Sequence, residues 1–480
     1  MGEWRNGRRD RLKICCPFGR EGSTPSSPTK SLSERSELSE PGLSHKSDCH
    51  HKGIPFMSEK PTVKKLDNGL KVVYVPFKGI DSVNFRLVGR AGGMWENPQS
   101  FGVAHYIEHL AFDGTKKYPD PDVFRGLVED NGGFINAYTS YFEVNYQAKI
   151  LKQEMEKAFD FLSQQAIHPL FRDEDIEKQR TIIIQEHKMY LDNPVEKFDQ
   201  NSQKHVYAKG SRFQEPLIGT FEALEKMNKE SIKEYFDRNY IGDNFVLSIC
   251  GDGVEKECFE LATKYFSEMP QGNKNEYTKG HYVDEDKTYT ENNNEIKQAT
   301  VSVMYPTPVL YTPNFYPAKY LNTVFGGGFM SRLFKEIRQN KGLAYYVQSM
   351  YQANASFGTL DAIAQIEPEN VEKVLKLIKT EISKISKTGI TKQEFDRTRK
   401  SIISTFAFDN ENPGKKADTE GKLVLNGQEN DTYETILEKY MEVTIEDVNK
   451  IAKEIFSHHP KIRVLSNNIT NKQVLNAWNS

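Results

Sequence analysis

The chain has 480 residues, 37 % of them hydrophobic and 27 % charged, which is more than one ordinary core holds and predicts two or more soluble domains. A net charge of −3 leaves no basic footprint for nucleic acid. No apolar run approaches the roughly 20 residues of a membrane span, so neither nucleic acid nor membrane is an expected partner.

Residues 1–56 stand apart, with nine serines, three of the five cysteines (Cys15, Cys16, Cys49) and no sustained periodicity. A stretch this polar cannot bury enough apolar area to order itself. Patterned sequence begins at "MSEKPTVKKLDNGLKVVYVPF", so Met57 is the expected start and 1–56 an untranslated or disordered leader. Downstream only Cys250 and Cys258 remain, which is no disulfide framework and suits a reducing compartment, with the cytoplasm expected.

From Lys65 the predicted elements follow in mixed order. "KKLDNGLKVVYVPF" reads as a hairpin and "DSVNFRLVGRAGG" as a strand; "SFGVAHYIEHLAF" and "DPDVFRGLVEDNGG" read as helices. "FINAYTSYFEVNYQAKI" alternates as a second hairpin, and two helices follow, the later ending at Asn193-Pro194. The second half repeats this order: strand, two helices, hairpin, two helices, and again Asn-Pro at 412–413. Arg180 and Arg399 each fall fourteen residues before their proline. Shared order and register argue for duplication. The expected architecture is α+β: two homologous repeats at 62–270 and 298–480, each an antiparallel sheet with helices on one face, joined by a polar linker at 271–297.

"HYIEHL" sets His105 and His109 one helical turn apart, so both imidazoles share a face, and Glu108 precedes the second. An amphipathic helix with two surface histidines would show the same spacing. A catalytic zinc site takes three protein ligands, so a third must come from elsewhere, while a nearby carboxylate that is not a ligand can take a proton from water. "RTIIIQEHKMYLDNP" offers Glu186 after the apolar run Ile182-Ile183-Ile184, which predicts a buried helix and a carboxylate in need of a charged partner.

His-x-x-Glu-His, 76 intervening residues and then Glu186 resembles the inverted zinc signature of the pitrilysin (insulinase) metallopeptidases. "GVAHYIEHLAFDGTKKY", "NGGFINAYTS" and "EPLIGT" resemble successive segments of that family's amino-terminal half, and "GGGFMSRLFKEIRQNKGLAYYV" its inactive carboxy-terminal half. The resemblance covers about 62–480. It implies a zinc-dependent endopeptidase acting on peptides or unfolded segments in a closed chamber. His105, His109 and Glu186 would hold one zinc per chain, with Glu108 the general base. Arg338 and Tyr345 would support substrate, and Asn136 and Ala137 would lie on an edge strand that pairs with it. His187 is expected to be a bystander, because its helical neighbour Glu186 points about 100° away. Thr405 stands where Glu186 would in the second repeat, so only the first can hold metal. The competing expectation is a non-catalytic chamber subunit or a peptide-binding partner of an active homologue.

One position departs from the family pattern, which usually carries a glutamate seven residues before the ligand glutamate; here it is Gln179. The lost charge behind the metal is expected to weaken the site, and Gln179→Glu to strengthen it. A chain of two repeats resembles the short class, in which two chains enclose the chamber. A homodimer is the expected assembly, with a hetero-partner of the same family as the alternative.

Overall fold

The computed structural model describes residues 60–282 and 284–480. The leader 1–56 and the expected start at Met57 lie outside them. Runs rich in Val, Ile, Phe and Tyr form the strands of the first half: β1 (Thr62–Lys65), β2 (Lys71–Pro76), β3 (Ser82–Gly89), β4 (Phe134–Thr139), β5 (Val144–Leu151) and β6 (Phe245–Gly251). They line up as β1-β2-β6-β3-β5-β4. The second half supplies β7 (Lys287–Asn292), β8 (Ala299–Thr307), β9 (Ala344–Ala353), β10 (Gly358–Ile366) and β11 (Lys461–Ser466), in the order β7-β11-β8-β10-β9.

The two orders coincide strand for strand once β1 is set aside. The pairing senses coincide too. β2 runs parallel to β6 as β7 does to β11, and the other pairs are antiparallel. The stretch 271–297, expected as a linker, therefore contains a strand of the second sheet, β7. β7 is an edge strand with half-buried residues, so its composition (KTYTEN) reads as polar.

Alternation along the first sheet separates two faces. Val72, Tyr74, Phe85, Leu87, Leu247 and Ile249 join the main core under the helices of the first half. Their neighbours Val73, Val75, Val88, Val246 and Cys250 instead pack on Ala417, Val424 and Leu425, from the helix Pro413–Leu425 of the second half. The exchange is mutual. Helix Pro194–Val206 of the first half lies against β7 and β11, where Arg463 donates to Asp199 at 2.7 Å and Ser202 at 2.9 Å. Helices thus cover one face of each sheet from within the repeat, and the other repeat sends one helix to the opposite face. Asn193 and Asn412, expected only to stop a helix, also cap these exchanged helices by accepting from Val195 and Lys415 backbone N–H groups. Among the described residues no helix is long and apolar enough to cross a membrane.

Arg180 and Arg399, matched by register, do one job twice. Arg180 donates to the carbonyls of Leu224, Glu225 and Met227, and Arg399 to those of Met441 and Val443. Each satisfies open carbonyls at the end of a helix beyond the exchanged one, Phe221–Lys226 in the first half and Tyr433–Glu442 in the second.

Candidate metal centre

The helix Val103–Leu110 spans eight residues, too short to persist alone, and its surroundings hold it. Buried Glu96 accepts from the backbone N–H of Gly102 at 3.0 Å and of Ala104 at 2.9 Å, placing a carboxylate at the positive helix terminus. Arg212 pairs with that carboxylate at 2.6 Å and donates to the carbonyls of Glu215 and Pro216. The "EPLIGT" segment so anchored crosses the start of the helix at very close range. A Cβ on Gly102 would meet Ile218 O at 2.4 Å, and one on Gly219 would meet Phe101 O at 2.3 Å. Both glycines also have positive φ, +96° and +99°, so the crossing needs glycine on each side. From the other side, Tyr106 donates its hydroxyl to the carbonyl of Ile176 and ties the helix to Asp173–Asp192.

That second helix brings Glu186 to the histidines. The His105 and His109 rings lie 4.7 Å apart, and Glu186 Oε2 stands 3.8 Å from His105 Nε2 and 3.6 Å from His109 Nε2. The three ligand atoms fall within 4.8 Å of one another. These separations exceed a hydrogen bond. They approach the roughly 3.3–3.6 Å edge of a tetrahedron whose corners sit 2.0–2.2 Å from a zinc ion. Burial pushes His105 down to about 4. It lowers His109 as well, helped by His105 and opposed by Glu186. Both imidazoles are therefore neutral near pH 7, the form that binds metal. Burial raises the Glu186 carboxyl, against the pull of His109. The donor set, its spacing and its protonation fit a zinc ion.

Glu108 turns aside from this trio. Its Oε2 accepts from Thr139 Oγ1 at 2.6 Å. Burial pushes its pKa up to about 7; Thr139 opposes the rise and Glu186 adds to it. Thr139 ends β4, the outermost strand of its sheet, and Asn136 and Ala137 lie on the same strand opposite Gln147 and Tyr146 of β5. One hydrogen bond thus joins the carboxylate to an open sheet edge. Thr139 is a site residue that motif reading missed, although it lies inside the quoted "NAYTS".

His187 faces the other way. It is buried, stacks on Phe221 at 4.3 Å and has Nε2 at 3.2 Å from Gln200 Oε1, as expected of a bystander. Of the apolar run before Glu186, Ile183 is buried, Ile184 half-buried and Ile182 40 % exposed. Three consecutive helical residues fan over about 200°, so the run could not lie wholly inside. Two further partners were missed. Tyr190, one turn beyond Glu186, donates to its Oε1 at 3.2 Å. Asp113 lies behind Gln179, which itself reaches His109.

Arg338 and Tyr345 meet each other. Arg338 lies over the Tyr345 ring at 4.6 Å and donates to its carbonyl at 2.5 Å, while the Tyr345 side chain is 78 % exposed. The segment Phe334–Asn340 that carries Arg338 is a wide π-type turn rather than the expected α-helix, a distortion often met at functional sites. Among the described residues no hydrogen bond, ion pair or ring contact joins this pair to the histidine–glutamate group.

Residues 71–220 match the family described as Insulinase (Peptidase family M16), and residues 226–402 match the Peptidase M16 inactive domain. An "uncharacterized zinc protease" of Rickettsia felis is 28 % identical over 84 % of this chain and 96 % of its own length. One of Bacillus subtilis is 25 % identical over 83 % of this chain and 96 % of its own. Among solved structures, a protease from Helicobacter pylori superposes with a TM-score of 0.77 at 20 % identity, covering 85 % of this chain and all of that one. A protein from Pseudomonas fluorescens, described as a peptidase M16 inactive domain, superposes at 0.79 and 16 % identity, covering 86 % and 99 %. At such identities the structures speak for the fold.

Proposed function

Since the chain belongs to the insulinase family, peptidase family M16, we propose that it is a zinc-dependent metalloendopeptidase of peptides or unfolded polypeptide segments. His105, His109 and Glu186 would hold one zinc per chain. The observation that carries this reading is the convergence of two neutral imidazoles and one carboxylate at ligand spacing, with a second carboxylate, Glu108, beside them that is not part of the group. When bound, the ion supplies a Lewis acid that polarises a carbonyl and makes water more acidic.

Everything else falls to the chain. Thr139 holds Glu108 Oε2, so Oε1 is the oxygen to take a proton from the attacking water and hand it to the departing amine. Burial, which raises this carboxyl, favours its holding the proton between the two transfers. The outer edge of β4 would pair with an extended substrate by backbone hydrogen bonds, at Asn136 and Ala137, which reads shape more than sequence. Arg338 and Tyr345 would face the centre from the second half of a partner copy, making a homodimer the proposed assembly.

Cleavage of a quenched fluorescent peptide tests this. Wild type should cleave it, a zinc chelator should stop cleavage and added zinc restore it. Glu108→Gln should keep its zinc while turnover falls by at least roughly 10²-fold. A protein that binds zinc and cleaves nothing would be the non-catalytic chamber subunit instead.

A further inference from the structure

Gln179 does not leave the metal centre without a negative charge behind it. Its Nε2 donates to Asp113 Oδ2 at 2.5 Å, and its Oε1 stands 3.0 Å from His109 Nδ1. Gln179 and Asp113 are both buried. We propose that Asp113, acting through the Gln179 amide, positions His109 for metal and supplies the charge that a glutamate at 179 would carry directly. This deepens the metallopeptidase reading and rests on it for the metal.

The direction of each hydrogen bond follows from the chemistry of the end group. An ionised carboxylate only accepts, so the amide must turn its NH2 toward Asp113. That leaves Oε1 facing His109, and a carbonyl oxygen also only accepts. Nδ1 of His109 must then carry the proton, and the Nε2 lone pair points toward Glu186 as a ligand requires. Reversing the amide would set Oε1 against the carboxylate and NH2 against Nδ1, which forces the other tautomer. Asp113 is itself held. Lys178 donates to its Oδ1 at 3.1 Å, and Arg172 donates to its backbone carbonyl at 2.8 Å. His105 has no such relay, since its buried Nδ1 lacks a hydrogen-bond partner among the described residues. Asp113 is a positioning residue two hydrogen bonds removed from His109, and it reverses the expectation for Gln179→Glu. With Asp113 in place, a glutamate at 179 would set two carboxylates together.

A double-mutant cycle tests the relay through zinc affinity and through the His109 tautomer, read by 15N chemical shifts of zinc-free protein. Asp113→Asn should weaken zinc binding by ~10–100-fold and mix the His109 tautomers. Gln179→Glu alone should also weaken it. The double variant Asp113→Asn/Gln179→Glu should recover wild-type affinity and the single Nδ1–H tautomer, because the carboxylate then contacts His109 directly. Sign reversal of one substitution by the other is not the behaviour of a damaged fold. The relay is overturned if Gln179→Glu alone binds zinc more tightly than wild type, if Asp113→Asn leaves affinity and tautomer unchanged, or if the double variant is no better than Asp113→Asn. A wild type that binds no zinc would end the metallopeptidase reading, and the tautomer would still decide the relay.

Discussion

At residue scale, neighbours on one helix have opposite fates. Glu186 points to the histidines and His187 stacks on Phe221, though they are adjacent in sequence. Helical geometry separates them by about 100°, and packing decides which side is which. His105→Ala should therefore lose zinc, as should Glu186→Gln, whereas His187→Ala should retain about one zinc per chain. Metal analysis of the purified variants checks this, and stoichiometric loss from His187→Ala would mean the wrong residue was assigned on that helix. His187→Ala should still lower thermal stability, because it removes a buried ring from Phe221.

At the scale of elements, the exchanged helix Pro413–Leu425 carries a buried acid onto the first sheet. Burial raises the pKa of Glu420 to about 7; the Tyr433 backbone N–H and Lys416 oppose that rise, and Glu434 adds to it. A carboxyl raised in the folded state binds more protons there than in the unfolded chain between its ordinary value near 4.5 and about 7. Stability must then fall as pH rises through that window. Glu420→Gln removes the dependence. Relative to wild type, the variant should be unchanged at pH 4 and more stable at pH 8, by at most ~3 kcal/mol. Urea denaturation at the two pH values measures the difference, and an equal effect at both would show that the carboxyl ionises freely in the fold.

For the whole molecule, the consequence of duplication is division of labour. One half holds the histidines and Glu186, and the other carries Thr405 at the equivalent position and no histidine in Phe315–Phe325. The Arg338–Tyr345 stack presents an exposed ring on the second half. On the proposed homodimer, a chain lacking that pair (Arg338→Ala/Tyr345→Ala) and a Glu108→Gln chain should each be nearly inactive alone. Mixing them with subunit exchange should restore about a quarter of wild-type activity. Half the dimers are mixed, and each mixed dimer has one complete site of two. No recovery despite demonstrated exchange would assign each site to a single chain.

Local spacing alone determined a good deal. A four-residue interval on a helix puts His105 and His109 on one face whatever the rest of the chain does, and equal intervals to Pro194 and Pro413 exposed the duplication through Arg180 and Arg399. The family resemblance, not spacing, pointed to Glu186. Periodicity shows that a face is buried but not what buries it. It therefore missed the exchange of helices between the halves, the strand β7 hidden in a polar stretch, and the exposure of Ile182. Gln179 shows the limit most directly. By sequence it is a lost charge, and only the path of the chain, which brings Asp113 from 66 residues away to 2.5 Å, returns a carboxylate to that place. Contacts between distant residues depend on how whole elements pack, and no local interval encodes that.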